Sequence, residues 1–201
     1  MLINGDTLQH LYRNPRWWKA ADRMREWSEC LFQHSLAVAD LALQIGLQLG
    51  LSGRECQALQ AGGFLHDLGK VTWPRYLVSK SALDDADWQI IRVHPLVGAK
   101  LAEERGCCCD ETVLRIIREH HEHGNGYPTG IRDVHPLSRI VIAVEVYVAM
   151  TEKRPYRPVP MPAREALGVL AGNGHSPEAL AALERLRNSS EVFRIEYPYC
   201  L

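Results

Sequence analysis

The chain has 201 residues, 46% of them hydrophobic and 23% charged, with 23 basic and 24 acidic side chains for a formal net charge of −1. That composition belongs to an ordinary globular protein and excludes a largely disordered one. The near-neutral balance also excludes a global basic field able to hold duplex nucleic acid, so an anionic ligand needs local charge from metal ions or a few placed Lys and Arg.

The length fits one domain of generous size, or a domain with a small appendage. Six cysteines (Cys30, Cys56, Cys107, Cys108, Cys109 and Cys200) form no CxxC pair and read as reduced thiols. The N-terminal MLINGDTLQH has no apolar signal-peptide core, and the apolar run IVIAVEVYVAM is too short and interrupted to span a bilayer. A cytoplasmic protein without a membrane span is the expectation.

The pattern is helical almost throughout. A first helix is expected over Arg16 to Trp27, and a second from about Cys30 to Leu49, ended by Gly50. Ser52-Gly53-Arg54-Glu55 reads as a capping box opening a helix that runs to His66-Asp67 and stops at Gly69. Val71 to Leu83 reads as a loop, and Asp84 as the cap of a helix through Trp88, Ile90 and Ile91. Pro95 restarts a helix that Gly106 and the cysteines break, and Thr112 to His121 is helical again. His123 to Pro128 is a turn, and Leu137 to Thr151 is the most apolar helix, expected to be central. Pro155, Pro158, Pro160 and Pro162 form an extended segment, and Ser176-Pro177-Glu178 opens a last helix.

Five residues stand at near-even spacing: His34, His66, His94, His120 and Glu145 are separated by 32, 28, 26 and 25 positions. Spacing of this kind puts one candidate ligand group on each successive helix, and packed helices can aim them into one cavity. Imidazole with carboxylate suits iron, manganese, zinc and similar divalent ions. Beside His66, the Asp67 carboxylate can bridge two ions, which would lower the pKa of a shared water and clamp the oxygens of an in-line phosphoryl displacement. Any one of these residues alone reads as an ordinary core or surface side chain; the joint pattern carries the reading.

The residues also match a family. Leu65-His66-Asp67-Leu68-Gly69-Lys70 is similar to an LHDIGK motif, and residues Trp88 to Ala99 (WQIIRVHPLVGA) to a segment ending HPxxGA. His120-His121-Glu122 followed by Gly126-Tyr127-Pro128 is similar to an HHE and GYP signature, and Val144 to Arg157 (VEVYVAMTEKRPYR) to ADVYDAMTSDRPYR. Over roughly residues 30 to 187 the chain resembles the HD-GYP subgroup of HD-domain phosphohydrolases. The resemblance implies an all-α HD-domain helical bundle with a central metal site, preceded by an N-terminal helical extension over 1–29 and followed by a tail over 188–201. It implies two divalent ions, iron or manganese, and hydrolysis of the bacterial second messenger cyclic di-GMP to linear pGpG, with pGpG or GMP left open as the end product. His34, His66, Asp67 and Glu145 would hold one ion; Asp67, His94, His120 and His121 would hold the other. Lys70 would approach the scissile phosphate beside Asp67, Arg154 would bind a phosphate, and Gly126, Tyr127 and Pro128 would wall the substrate. Signalling proteins such as diguanylate cyclases are the implied partners.

Four departures bear on that expectation. Glu145 stands where the family has Asp, and Val148 replaces a second Asp. Cys30 lies four residues before His34, where three-metal members carry Glu, so two ions are expected. The link between HHE and GYP is about two residues short. A catalytically impaired module that binds nucleotide or a partner, and a phosphohydrolase acting on another nucleotide, are the competing readings.

Overall fold

The computed structural model of the chain describes residues 17–188 apart from 81, 109, 125 and 154–157. Within them every regular element is helical: α1 (Trp18–Trp27), α2 (Glu29–Gln48), α3 (Gly53–Leu65), a 3-10 turn (Leu68–Thr72), α4 (Tyr76–Ser79), α5 (Asp85–Arg92), α6 (His94–Glu104), α7 (Glu111–Glu119), α8 (Pro136–Thr151), α9 (Ala163–Gly172) and α10 (Pro177–Asn188).

Local chemistry sets most of these starts. Ser28 caps α2, its hydroxyl accepting from the Leu31 amide. Ser52 and Glu55 form the expected capping box on α3, and Asp84 pairs reciprocally with Asp87 on α5, with amide-to-carboxylate distances of 2.9 and 3.0 Å. Asp110 caps α7, accepting from the Thr112 amide, and Ser176 caps α10, accepting from Ala179. Each cap satisfies an amide that lacks a partner in the first turn.

The centre of the bundle is α2, α3, α7 and α8. α3 packs against α2, α7 and α8, and α8 also packs against α2 and α9. Phe32 and Phe64, both fully buried, meet edge to face at 6.3 Å between α2 and α3. α2 is, by length and composition alone, long and apolar enough to cross a membrane, yet 72% of its apolar window is buried inside the fold, the environment of a core helix.

Three elements differ from expectation. The stretch read as a loop over 71–83 contains the end of the 3-10 turn and all of α4. Helix α7 ends at Glu119, so His120 and His121 sit just beyond it. α9 lies in a stretch with no expected helix. The reduced-thiol expectation holds at Cys56, Cys107 and Cys108, whereas Cys30 is joined in a disulfide.

Candidate metal centre

Helix ends build this site. The last four carbonyls of an α-helix have no amide partner within it. His66, at the C-cap of α3, places Nδ1 2.7 Å from the Gly63 carbonyl. His120, at the C-cap of α7, does the same with Ile117 at 2.8 Å. His94, just past α5, does so with Ile91 at 2.7 Å. Each ring therefore donates Nδ1–H to a carbonyl three residues upstream, which fixes the tautomer and turns the Nε2 lone pair inward. One arrangement closes a helix and orients a ligand.

Those Nε2 atoms converge on Asp67. Its Oδ1 lies 3.2 Å from His94 Nε2 and 3.7 Å from His120 Nε2. Its Oδ2 lies 3.3 Å from His66 Nε2 and 2.6 Å from Lys70 Nζ. The two oxygens of one carboxylate thus face two different donor groups. Asp67 with His94, His120 and His121, and Asp67 with His34 and His66, each offer ligand atoms within 4.8 Å of one another. Glu145 reaches from α8 to the second group, with Oε1 4.0 Å from His34 Nε2. Val148 is buried in the apolar core.

The donor set fits divalent cations. Buried polar atoms almost always have a hydrogen-bond partner. Here His66 Nε2 and Asp67 Oδ1 are buried without one, and His94 Nε2 stands 3.1 Å from His120 Nε2. A divalent cation placed between them would satisfy such inward lone pairs, and nitrogen with carboxylate suits first-row ions.

Protonation points the same way. Burial works against a charged Asp67, but the His66 imidazole and Lys70 ammonium beside it hold its carboxyl well below the usual range. Burial, with His66 and His94 nearby, lowers His120 to about 3 despite the Asp67 carboxylate beside it. Burial and the neighbouring His120 and His94 lower His121 further. His66 goes the other way: burial opposes its charged form, but Asp67 and Glu145 leave its pKa raised.

A loop and a turn hold the pieces in place. Buried Glu122 accepts from the Thr129 amide at 2.7 Å, the Thr129 hydroxyl at 2.6 Å and the Gly130 amide at 2.8 Å. This ties down the segment carrying Gly126, Tyr127 and Pro128, so Glu122 organises the loop. The Tyr127 ring stacks on His121 at 4.5 Å. A Cβ on Gly126 would lie 2.1 Å from the His121 carbonyl oxygen, and one on Gly69 the same distance from that of His94; only glycine permits either approach. Arg154 lies outside the described residues.

Sequence reasoning missed Glu152, whose carboxylate lies 3.2 Å from His34 Nδ1. Its one signal was its place seven residues after Glu145. It also missed Trp73, edge-on to His94 at 5.5 Å. A cavity of about 680 Å³ opens beside the loop, lined by Glu122, His123, Arg132 and His175 among others, but by none of the expected ligands. Donor geometry, rather than void volume, locates the chemistry.

The HD domain family model matches residues 6–178. The chain belongs to the HD-domain family. A 3'3'-cGAMP-specific phosphodiesterase of Vibrio cholerae is 30% identical over 163 residues, 77% of this chain and 35% of that protein. A cyclic di-GMP phosphodiesterase of Thermotoga maritima is 30% identical over 173 residues, 82% of this chain and 47% of that protein. The chain thus spans between about a third and a half of these relatives' length. Among solved structures, an HDG"Y"P protein from Bdellovibrio bacteriovorus matches with a TM-score of 0.60 at 25% identity, over 77% of this chain and 51% of that one. The HD domain of Listeria monocytogenes PgpH in complex with cyclic-di-AMP matches with a TM-score of 0.63 at 16% identity, over 89% of this chain and all of that one, a likeness of fold.

Proposed function

We propose that this chain is a two-metal phosphodiesterase that opens a cyclic dinucleotide, cyclic di-GMP first among them, to the linear pGpG. One observation carries the reading: the two oxygens of Asp67 face two separate groups of inward imidazoles. Relatives named for cyclic di-GMP and 3'3'-cGAMP hydrolysis supply the substrate class.

His34, His66, Asp67 and Glu145 would hold one cation, and Asp67, His94, His120 and His121 the other, iron or manganese in each. Bound there, the cations would supply an activated water and offset charge on the phosphate oxygens. The chain's own residues do the rest. Helix-end hydrogen bonds fix the direction of three imidazoles. Lys70, partly exposed beside Asp67, sets a cation where the scissile phosphate would lie. Tyr127, stacked on His121, walls that space together with Gly126 and Pro128, and Arg154 holds a second phosphate. The reaction belongs to the cytoplasm, under the control of signalling partners such as diguanylate cyclases, with residues 30–187 as the catalytic unit.

The test pairs elemental analysis with turnover. The purified chain is loaded with Mn²⁺ and incubated with cyclic di-GMP, 3'3'-cGAMP and cyclic di-AMP. Two equivalents of metal and a linear product, both lost in Asp67→Ala, are expected. Nucleotide binding without product would replace the enzyme with a binding module. Hydrolysis of other phosphoesters alone would move the substrate class.

A further inference from the structure

We propose that Glu152 is a positioning residue for His34, so that the cation site on the α2 side is built as a carboxylate–histidine–metal triad; the inference rests on the metal-centre reading above. The geometry sets His34 apart. His66, His94 and His120 each find an acceptor for Nδ1–H at the end of the preceding helix. His34 lies inside α2, which runs from Glu29 to Gln48. Upstream carbonyls in a helix interior are already taken by the amides four residues on, so an interior histidine needs an acceptor from elsewhere.

Glu152 provides it from 118 positions away, with a carboxylate oxygen 3.2 Å from His34 Nδ1. It stands at the C-cap of α8 and is only 6% exposed. A carboxylate so buried is costly unless paired. Glu145 and Glu152 are seven residues apart, close to two helical turns, so both lie on one side of α8. They flank a single ring: Glu152 faces Nδ1, and Glu145 Oε1 stands 4.0 Å from Nε2. A neutral imidazole has one N–H, and the carboxylate at Nδ1 takes it. Nε2 is left as a lone pair in the group His34 forms with His66 and Asp67. A carboxylate in this position fixes the ring and raises its basicity as a ligand.

The experiment uses the full chain as wild type, Glu152→Ala and Glu152→Gln, with circular dichroism to confirm folding. Mn²⁺ binding isotherms are measured for each, and long-range ¹H–¹⁵N NMR reads the His34 tautomer in the metal-free state. Wild type should bind two Mn²⁺ and show His34 protonated at Nδ1. Glu152→Ala should weaken one Mn²⁺ by about 10- to 100-fold, leave the other, and shift His34 toward Nε2–H. Glu152→Gln, whose amide oxygen still accepts, should lose less. Unchanged isotherms in Glu152→Ala beside a two-Mn²⁺ wild type overturn this inference alone, as does equal weakening of both ions or an Nε2–H tautomer in wild type. A wild type that takes up no Mn²⁺ overturns the metal-centre reading and this inference with it.

Discussion

At the scale of residues, burial holds two of the imidazoles near Asp67, His120 and His121, toward the neutral form that metals need. An ordinary imidazole titrates near 6.5, and the fold lowers His120 to about 3 and His121 further, chiefly by burial. Between the folded value and 6.5 the unfolded chain binds more protons than the folded one, so stability falls as pH falls through this window. Asp67, depressed in the fold, adds a loss of the same sign below its ordinary value near 3.8. His66, raised, opposes it at the upper edge. The metal-free protein should therefore show a lower urea midpoint at pH 5 than at pH 7.5; an equal or higher one would contradict the buried, neutral state of His120 and His121. Most of these residues were legible in the sequence because metal chemistry restricts the residue types and the spacing repeated. Glu152 was not, because a partner 118 positions away leaves no local pattern.

At the scale of elements, three helices end at ligands. α3, α5 and α7 each leave a carbonyl that a histidine closes. His120→Ala should thus weaken metal binding and also destabilise the metal-free fold by roughly 1–3 kcal/mol, the usual cost of a lost buried hydrogen bond. A denaturant titration without metal separates the two effects; no change there would deny the helix-closing role. Gly69 fixes the 3-10 turn against α6. Gly69→Ala should cost about 1–3 kcal/mol by overpacking and lower Mn²⁺ affinity, since Asp67 and His94 must move apart. Wild-type affinity would show that the two elements yield without disturbing the site.

Capping made other elements legible. Ser52 with Glu55 and Asp84 with its helix were read from side-chain type alone, and both boxes are present. α9 was not legible: its ten residues include Gly168 and Gly172, poor helix formers, and bury only Ala166 and Leu170. Tertiary packing against α8 supplies what the local sequence lacks. The all-helical bundle itself was legible from periodicity, α2 included, where Glu29, Gln33, Gln44 and Gln48 mark the face left outside the core.

At the scale of the whole molecule, α2, the start of α6, the end of α7 and the turn after α3 each bring a candidate ligand to one place. Ligands that bind only the folded state stabilise it, by about 4 kcal/mol when free ligand is a thousandfold above Kd. Chelation should lower the Tm of a metal-loaded sample and Mn²⁺ should restore it; a Tm indifferent to metal would place no ion among these elements. The most direct test of the central claim follows one loaded sample. Protein shown by elemental analysis to hold two equivalents of Mn²⁺ is mixed in excess with cyclic di-GMP, and the nucleotides are separated over time. The account predicts that cyclic di-GMP disappears as pGpG forms, and that Asp67→Ala leaves it intact. A two-metal sample that binds cyclic di-GMP and leaves it whole would contradict it.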